Sequence, residues 1–283
     1  MPSAQTSDGL TVAWRETGSG PPLLCHPGGP GASASYFGDL DELAAERTLI
    51  LLDPRGTGAS ERAADPAAYA LEAYAEDIEA VREALGLERL DLLGHSHGGF
   101  VAITWAGTHP ERVGHLVLAS TAPRFSEDLR SRRRERVASH AGEPYFADAV
   151  AALEEQQAGR YADDAELAAL YERMGPVLMP PGRDVEPVAA VFRNAGLNAD
   201  VLRHFNNHIA GAMDLRPLLA RITAPTLVIA GDLDPFGGPV SDEIAAALAQ
   251  PTVVTILGAD HFPFLEPEHR ATWARAVLDF LAA

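Results

Sequence analysis

The sequence predicts an α/β fold with a mostly parallel twisted sheet, helices on both faces and an inserted helical cap. Short apolar strands alternate with helices through residues 22–120, no strand is evident until residue 214, and the alternation then resumes. Such alternation gives parallel strands covered by helices on both sides. We therefore expect a core domain of residues 1–122 and 214–283 and a cap of residues 123–213.

The elements before the cap follow from local patterns. Leu10–Thr17 follows the turn pair Asp8-Gly9, which predicts two short antiparallel strands. Continuous apolar runs predict buried strands, and amphipathic stretches that end near Gly or Pro predict helices. The strands are Leu23–Cys25, Leu49–Leu52, Leu90–Leu93 and Leu116–Leu118, and the helices are Tyr36–Ala45, Leu71–Leu85 and Phe100–Ala106.

The rest of the chain is predicted by the same patterns. The cap helices are Asp128–His140, Tyr145–Ala158, Asp164–Met174, Val185–Ala195 and Asp200–Ala212. After the cap we expect a strand at Pro225–Ala230, a helix at Ser241–Leu248, a strand at Val253–Leu257 and a final helix at Glu268–Leu281.

Composition excludes several classes of protein. The chain of 283 residues is 47% apolar, carries a net charge of −18 and contains no lysine, which disfavours binding to nucleic acid or to an anionic membrane. We interpret the arginine-rich run 130–136 as a solvated helix face. Cys25 is the only cysteine, and we find no signal peptide and no apolar run of membrane-spanning length. These features predict a cytoplasmic chain whose oligomeric state the sequence leaves open.

The segment 94–99 reads Gly-His-Ser-His-Gly-Gly between a predicted strand and a predicted helix. It matches G-x-S-x-G, the nucleophile elbow, in which a strained turn raises a serine above the sheet. Side chains at Gly94 and Gly98 would clash with closely approaching backbone, and glycine removes that cost. We predict Ser96 as a catalytic nucleophile.

A serine hydroxyl needs a base to take its proton and an acid to orient that base. Asp234 and His261 follow the last two predicted strands, at the edge where α/β sheets place their sites. We predict Asp234 as the acid and His261 as the base, with Asp232 as a competing acid. A calcium loop at Asp232-x-Asp234 would need further oxygen ligands that the following residues do not supply. No histidine has a spacing that predicts a metal site, and the chemistry needs no cofactor.

An oxyanion formed at this serine would need two backbone N–H donors. One is expected from His97, and the other from the Gly/Pro-rich loop after strand Leu23–Cys25. In that loop Pro27 has no N–H, so Gly29, or else Gly28, is the donor. Aromatic residues near these loops in sequence predict an apolar substrate pocket; with Gly28 they are Phe37, Phe100, Phe125, Phe236 and Phe262.

These motifs make the chain resemble the α/β-hydrolases, and among them the proline iminopeptidase group. The motifs are Gly28-Gly29-Pro30-Gly31, Asp53-x-Arg55-Gly56-x-Gly58-x-Ser60 and Gly94-x-Ser96-x-Gly98-Gly99, with the endings Gly231-x-x-Asp234 and Gly258-x-x-His261. The resemblance covers residues 22–120 and 214–283 and says little about the cap.

The resemblance implies a serine hydrolase that removes an N-terminal residue, often proline, from small peptides or amides. It also implies acidic cap residues that hold the free ammonium of the substrate, for which the candidates are Glu143, Glu154, Glu155, Glu172 and Glu186. Hydrolysis of a small ester, lactone or thioester is the alternative, and a ligand-binding protein on the same scaffold is a third possibility. In each case the expected partner is a small molecule or a short peptide.

Overall fold

A computed structural model describes residues 1–283 and contains one eight-stranded sheet. The strands are β1 (Ser3–Gln5), β2 (Thr11–Gly18), β3 (Pro22–His26), β4 (Thr48–Asp53), β5 (Leu90–His95), β6 (Val113–Ala119), β7 (Thr226–Gly231) and β8 (Pro251–Ile256). Their order across the sheet is β1-β2-β4-β3-β5-β6-β7-β8. β2 pairs antiparallel with β1 and β4, and every other pair is parallel. The predicted fold class is confirmed.

Eleven α-helices accompany the sheet. They are α1 (Asp41–Ala44), α2 (Leu71–Ala84), α3 (His97–Thr108), α4 (Glu127–Ala138), α5 (Phe146–Gln157), α6 (Asp164–Leu178), α7 (Glu186–Asn194), α8 (Ala199–His204), α9 (Arg216–Leu219), α10 (Pro239–Ala247) and α11 (Arg270–Leu281). Shorter 3₁₀ turns occupy Ala34–Phe37, Pro66–Tyr69 and Pro110–Arg112. None of these helices combines the length and the apolar character that crossing a membrane requires.

The central strands are buried on both faces, which explains their uninterrupted apolar sequences. Alternate residues of a strand enter two separate apolar clusters: Leu23 lies in one and its neighbour Leu24 in the other. The first cluster includes Trp273 of α11, and the second includes Ile78 of α2 and Val101 of α3. Helices on both faces therefore hold the carboxyl ends of β3, β5, β7 and β8 in fixed positions.

Two predicted helices differ from the structure. Tyr36–Ala45 is not one helix, because Gly38 and Leu40 have φ angles of 68° and 49°, in the left-handed region that interrupts a right-handed helix. It contains only the end of a 3₁₀ turn and the short α1. Asp200–Ala212 is also divided, since α8 gives way to a π-helical turn at Phe205–Ile209.

Helices α4 to α8 lie between β6 and β7, and no strand interrupts them. An isolated antiparallel bridge between Arg124 and Asp214 joins the two ends of this segment. We propose that residues 123–213 form the cap, because the chain leaves the sheet and returns to it at one point.

Candidate active site

The turn between β5 and α3 holds Ser96 in a strained conformation. Its φ of 53° and ψ of −115° are rarely adopted by a residue with a side chain. A Cβ atom at Gly94 would collide with the backbone of Gly98, and one at Gly98 would collide with the carbonyl of His26. Glycine at both positions therefore lets β3, β5 and α3 approach closely enough for the turn to form.

Asp234 and His261 meet at the carboxyl edge of the sheet, after β7 and β8. The Nδ1 atom of His261 lies 3.0 Å from Oδ1 of the buried Asp234, and the N–H of Phe236 donates to the same oxygen at 3.0 Å. Burial tends to raise the pKa of the Asp234 carboxyl, but His261 and these hydrogen bonds lower it below its ordinary value. A charged Asp234 selects the His261 tautomer with the proton on Nδ1, which leaves Nε2 free to accept a proton.

The competing acid has a different role. Asp232 is exposed, and its Oδ1 accepts a hydrogen bond from the N–H of Gly258 at 2.7 Å. It therefore ties the loop after β7 to the end of β8, while Asp234 faces the imidazole.

A second histidine positions the backbone of the first. His95 Nε2 lies 2.8 Å from the carbonyl oxygen of His261, and its Nδ1 lies 3.0 Å from the hydroxyl of Tyr36. Burial, with the nearby His261, lowers the pKa of His95 to about 3, so its ring is neutral. The arrangement requires His95 to donate from Nε2 and Tyr36 to donate to Nδ1. The sequence predicted neither contact. Tyr36 and His261 lie 59 and 166 positions from His95, and no motif links residues so far apart.

Two unpaired backbone donors lie beside Ser96. His97 begins α3, and Gly29 lies in the loop after β3 with a φ of 58°. Neither N–H donates a hydrogen bond within the chain, and both residues line the same cavity as Ser96. The end of the loop that carries Gly29 is fixed by Asp53 at the end of β4. The Asp53 carboxylate accepts hydrogen bonds from the N–H groups of Ala34 and Ala59 at 2.9 Å each. An oxyanion formed at Ser96 has donors available without any rearrangement of regular structure.

Ser96 and His261 open into a cavity of about 460 Å³ between the sheet edge and the cap segment. The Ser96 hydroxyl makes no hydrogen bond to His261 in this structure, and such bonds commonly tighten only when substrate is present. Four of the predicted pocket residues line the cavity: Phe100, Phe125, Phe236 and Phe262.

Two predicted pocket residues do not line the cavity. Gly28 packs between the Tyr36 hydroxyl and Cβ of Ser96, where there is no room for a side chain. Phe37 is buried and packs edge-on against Tyr36 and obliquely against Phe264. Proximity in sequence to the site loops did not predict which residues line the cavity, because adjacent residues of the 3₁₀ turn point in different directions. Tyr36 rather than Phe37 faces the cavity.

The interpretation of residues 130–136 as a solvated helix face holds for Arg130, Arg133 and Arg134, which are exposed, and is wrong for Arg132 and Arg136. Arg132 donates to the carbonyl oxygens of Asp234 at 2.6 Å and Pro235 at 3.1 Å. Arg136 donates to both oxygens of the buried Asp260 at 2.9 and 3.0 Å. Arg130 and Arg133 line the cavity. In the sequence, the spacing of these arginines could have indicated two groups, because residues three or four apart share one helix face.

Other cap residues that the sequence did not single out complete the cavity wall. Aromatic rings line it at Tyr171, Phe192 and Phe205, and neutral polar side chains line it at Gln156, Gln157 and Asn206. None of the five candidate glutamates lines this cavity. Three of them form ion pairs with arginines elsewhere on the cap, namely Glu155 with Arg173 and both Glu172 and Glu186 with Arg193.

One group of side chains has the spacing of a metal site. Ligand atoms of Glu266, Glu268 and His269 lie within 4.8 Å of one another before α11. Glu266 already accepts the N–H of Asp260 at 3.0 Å, and Glu268 pairs with Arg183. The group does not line the Ser96 cavity.

The sheet order, the strained serine and the His–Asp pair are those of a hydrolase built on an α/β sheet. Residues 21–268 match the family model described as the alpha/beta hydrolase fold. The chain belongs to the α/β-hydrolase family.

Three known proteins illustrate the similarity. A proline iminopeptidase of Lactobacillus helveticus is 44% identical over 105 residues, which cover 36% of this chain and 36% of that relative. The chain thus matches only about a third of the relative's length. A hydrolase of Pseudomonas aeruginosa PA01 is 30% identical with a TM-score of 0.73, over 100% of this chain and 98% of the other. An esterase of Exiguobacterium antarcticum is 22% identical with a TM-score of 0.76, over 99% of both chains. The family that the sequence predicted is therefore confirmed.

Proposed function

We propose that this hydrolase works by acyl transfer through Ser96, His261 and Asp234, and that its substrate is a small ester, lactone or thioester. The observation that carries the proposal is the meeting, at one aromatic cavity, of a strained, accessible serine and a histidine that is paired with a buried aspartate. The three residues come from three different loops at the carboxyl edge of the sheet, which is where this architecture assembles its sites.

The reaction follows from the position of each group. Ser96 Oγ attacks the substrate carbonyl while His261 Nε2 takes its proton, and Asp234 stabilises the imidazolium that results. The N–H groups of Gly29 and His97 hold the oxyanion of the tetrahedral intermediate. The intermediate expels the alcohol or thiol, which receives the proton from His261. Water then attacks the acyl-enzyme by the same path and releases the acid.

The cavity wall favours an ester over a peptide with a free N-terminus. A substrate ammonium buried in the cavity would need a carboxylate to compensate its lost hydration. The lining contains no aspartate or glutamate but several aromatic rings, which suit the apolar part of an ester.

Removal of an N-terminal residue from small peptides is the second candidate. It is favoured by the proline iminopeptidases that match the chain over 105 residues. The match covers about a third of each chain, so the peptidase specificity of those relatives does not transfer with it.

The test combines active-site labelling with a comparison of two substrates. We expect a fluorophosphonate to label the wild-type protein and the Ser19→Ala variant, whose exposed serine lies far from the cavity in the turn after β2. We expect no labelling of Ser96→Ala and a fall in its kcat for 4-nitrophenyl butyrate by roughly a thousandfold or more.

The second comparison sets 4-nitrophenyl butyrate against proline 4-nitroanilide. Faster hydrolysis of the ester would support the proposal, and faster hydrolysis of the anilide would favour the peptidase. Wild-type turnover by Ser96→Ala would refute the acyl-transfer mechanism for either substrate.

A further inference from the structure

Helix α4 presents its arginines in two pairs. Arg132 and Arg136 are four residues apart and donate to the catalytic loops, to the carbonyls of Asp234 and Pro235 and to the carboxylate of Asp260. Arg130 and Arg133 are three residues apart and line the cavity that contains Ser96. The same helix therefore supports the loops with one face and turns two cations toward the substrate space with another.

The cavity arginines have no partners within the chain. Neither the Arg130 nor the Arg133 side chain forms a hydrogen bond or an ion pair within 4.0 Å, whereas Arg134 beside them pairs with Glu127 at 2.6 Å. The wall of the cavity contains no acidic residue. The adjoining cleft between α4 and α5 shares both arginines and is lined by one carboxylate, that of the exposed Glu154, which pairs with neither.

Arg133 is placed to bind an anion. Arg133 is exposed and lines both the cavity and the cleft, so its guanidinium is accessible to an anion that enters either of them. An arginine remains charged at neutral pH, and with no acidic side chain beside it the positive charge of Arg133 attracts anions into the cavity. Its planar fork of N–H groups matches the two oxygens of a carboxylate.

Resting on the proposed function, we propose that the natural substrate is an ester or lactone whose acyl part carries a carboxylate, bound by Arg133 with the help of Arg130. The scissile carbonyl lies at Ser96 and the carboxylate lies at the cap side of the cavity. The neutral side chains Gln156, Gln157 and Asn206 supply further hydrogen bonds, and the aromatic rings contact the carbon chain between the two ends.

Two esters of equal length test this substrate class. Mono-4-nitrophenyl adipate and 4-nitrophenyl hexanoate share the six-carbon acyl chain and the leaving group and differ in a terminal carboxylate. We expect the wild-type enzyme to have the higher kcat/KM for the adipate by roughly 10- to 100-fold, as the loss of charge-assisted hydrogen bonds would imply. Spontaneous hydrolysis is subtracted with Ser96→Ala.

Three arginine variants locate the effect. We expect Arg133→Met to reduce the adipate-to-hexanoate ratio of kcat/KM by about tenfold or more, mainly through KM, and Arg130→Met to reduce it less. Arg134→Met changes an arginine of the same helix that pairs with Glu127 and does not line the Ser96 cavity, and it should leave the ratio unchanged. Arg133→Glu should reverse the preference toward the cationic 4-nitrophenyl 6-aminohexanoate.

The outcomes separate this proposal from the one on which it rests. If the wild-type kcat/KM were equal for both esters while fluorophosphonate labelling remained, the proposal of a carboxylate-bearing substrate would be wrong. The proposed acyl-transfer function would still stand. If the wild-type enzyme preferred the aminohexanoate ester, and Glu154→Gln abolished that preference, the carboxylate proposal would also be wrong. The site would then bind an ammonium group. Loss of labelling together with inactivity on every ester would remove the proposed function itself.

Discussion

At the scale of single residues, the site depends on contacts between loops that are distant in sequence. His261 is held at its side chain by Asp234, 3.0 Å away, and at its carbonyl by His95, 2.8 Å away. Ser120, which has a φ of 50°, lies at the end of β6, and its hydroxyl helps to lower the pKa of Asp234. Asp234 therefore fixes the ring of His261 and His95 fixes its backbone, beside the cavity that His261 lines.

The two neighbouring aspartates give a matched prediction. We expect Asp234→Asn to lower kcat by roughly a thousandfold or more, because the amide no longer stabilises the imidazolium and favours the wrong tautomer. Asp232→Asn should stay within a few-fold of wild type, since the amide oxygen can still accept the N–H of Gly258. Steady-state kinetics on a 4-nitrophenyl ester measure both, and the opposite result would make Asp232 the acid.

At the scale of an element, α4 couples the proposed cap to the catalytic loops. Asp260 precedes His261, and its buried carboxylate depends on Arg136 for its charge. Burial raises the pKa of Asp260 to about 7, although Arg136 opposes that rise. Displacement of α4 would therefore disturb the loop that carries His261.

Removing Arg136 should show this coupling. We expect Arg136→Met to lower the free energy of unfolding by about 1–3 kcal/mol, because the buried Asp260 must take up a proton and the carbonyls of Leu178 and Leu233 lose a donor. The double variant Arg136→Met, Asp260→Asn should regain part of that loss, since no unpaired charge remains. Urea denaturation measures these values, with the exposed Arg134→Met as the control. An Arg136→Met protein as stable as wild type would mean that the ion pair contributes nothing net.

At the scale of the whole molecule, neutral histidines are buried together at the centre of the site. Burial lowers the pKa of His26 to about 4 and the pKa values of His95 and His97 to about 3. The neighbouring His261 adds to the lowering for His95, and His26 adds to it for His97. The rings of His26 and His97 are 6.2 Å apart. Protonation of one ring therefore disfavours protonation of the other. Between the ordinary and the lowered pKa values, these histidines stay neutral in the folded protein and are protonated in the unfolded chain.

This difference makes stability depend on pH. Between the ordinary histidine pKa of 6.5 and about 4, the unfolded chain binds more protons, so the free energy of unfolding falls as pH falls. Each buried histidine contributes up to about 1.4 kcal/mol per pH unit in that range. His97→Phe preserves an aromatic ring against Tyr74, Phe100 and Phe205 and should reduce the slope by about one proton. Urea denaturation across this pH range measures the slope, and an unchanged slope would contradict the assignment.

The core elements could be predicted because their signals are local. Continuous apolar runs appear as buried strands, and glycines at 94 and 98 appear where backbone segments approach closely. The predicted loops of Asp234 and His261 meet because both follow neighbouring parallel strands, β7 and β8. Their proximity follows from strand order alone, before any side chain is placed.

The sequence by itself therefore determined the sheet, its carboxyl edge and the candidates for nucleophile, acid and base. Only the tertiary structure decided the lining of the cavity: it brought Tyr36 to the wall, kept Phe37 away, and placed the exposed Arg130 and Arg133 along its rim. The physical reason is that cap packing is long-range. The direction of a helix face depends on what the helix packs against, and a run of arginines has the same local pattern whether it faces solvent, a catalytic loop or a substrate.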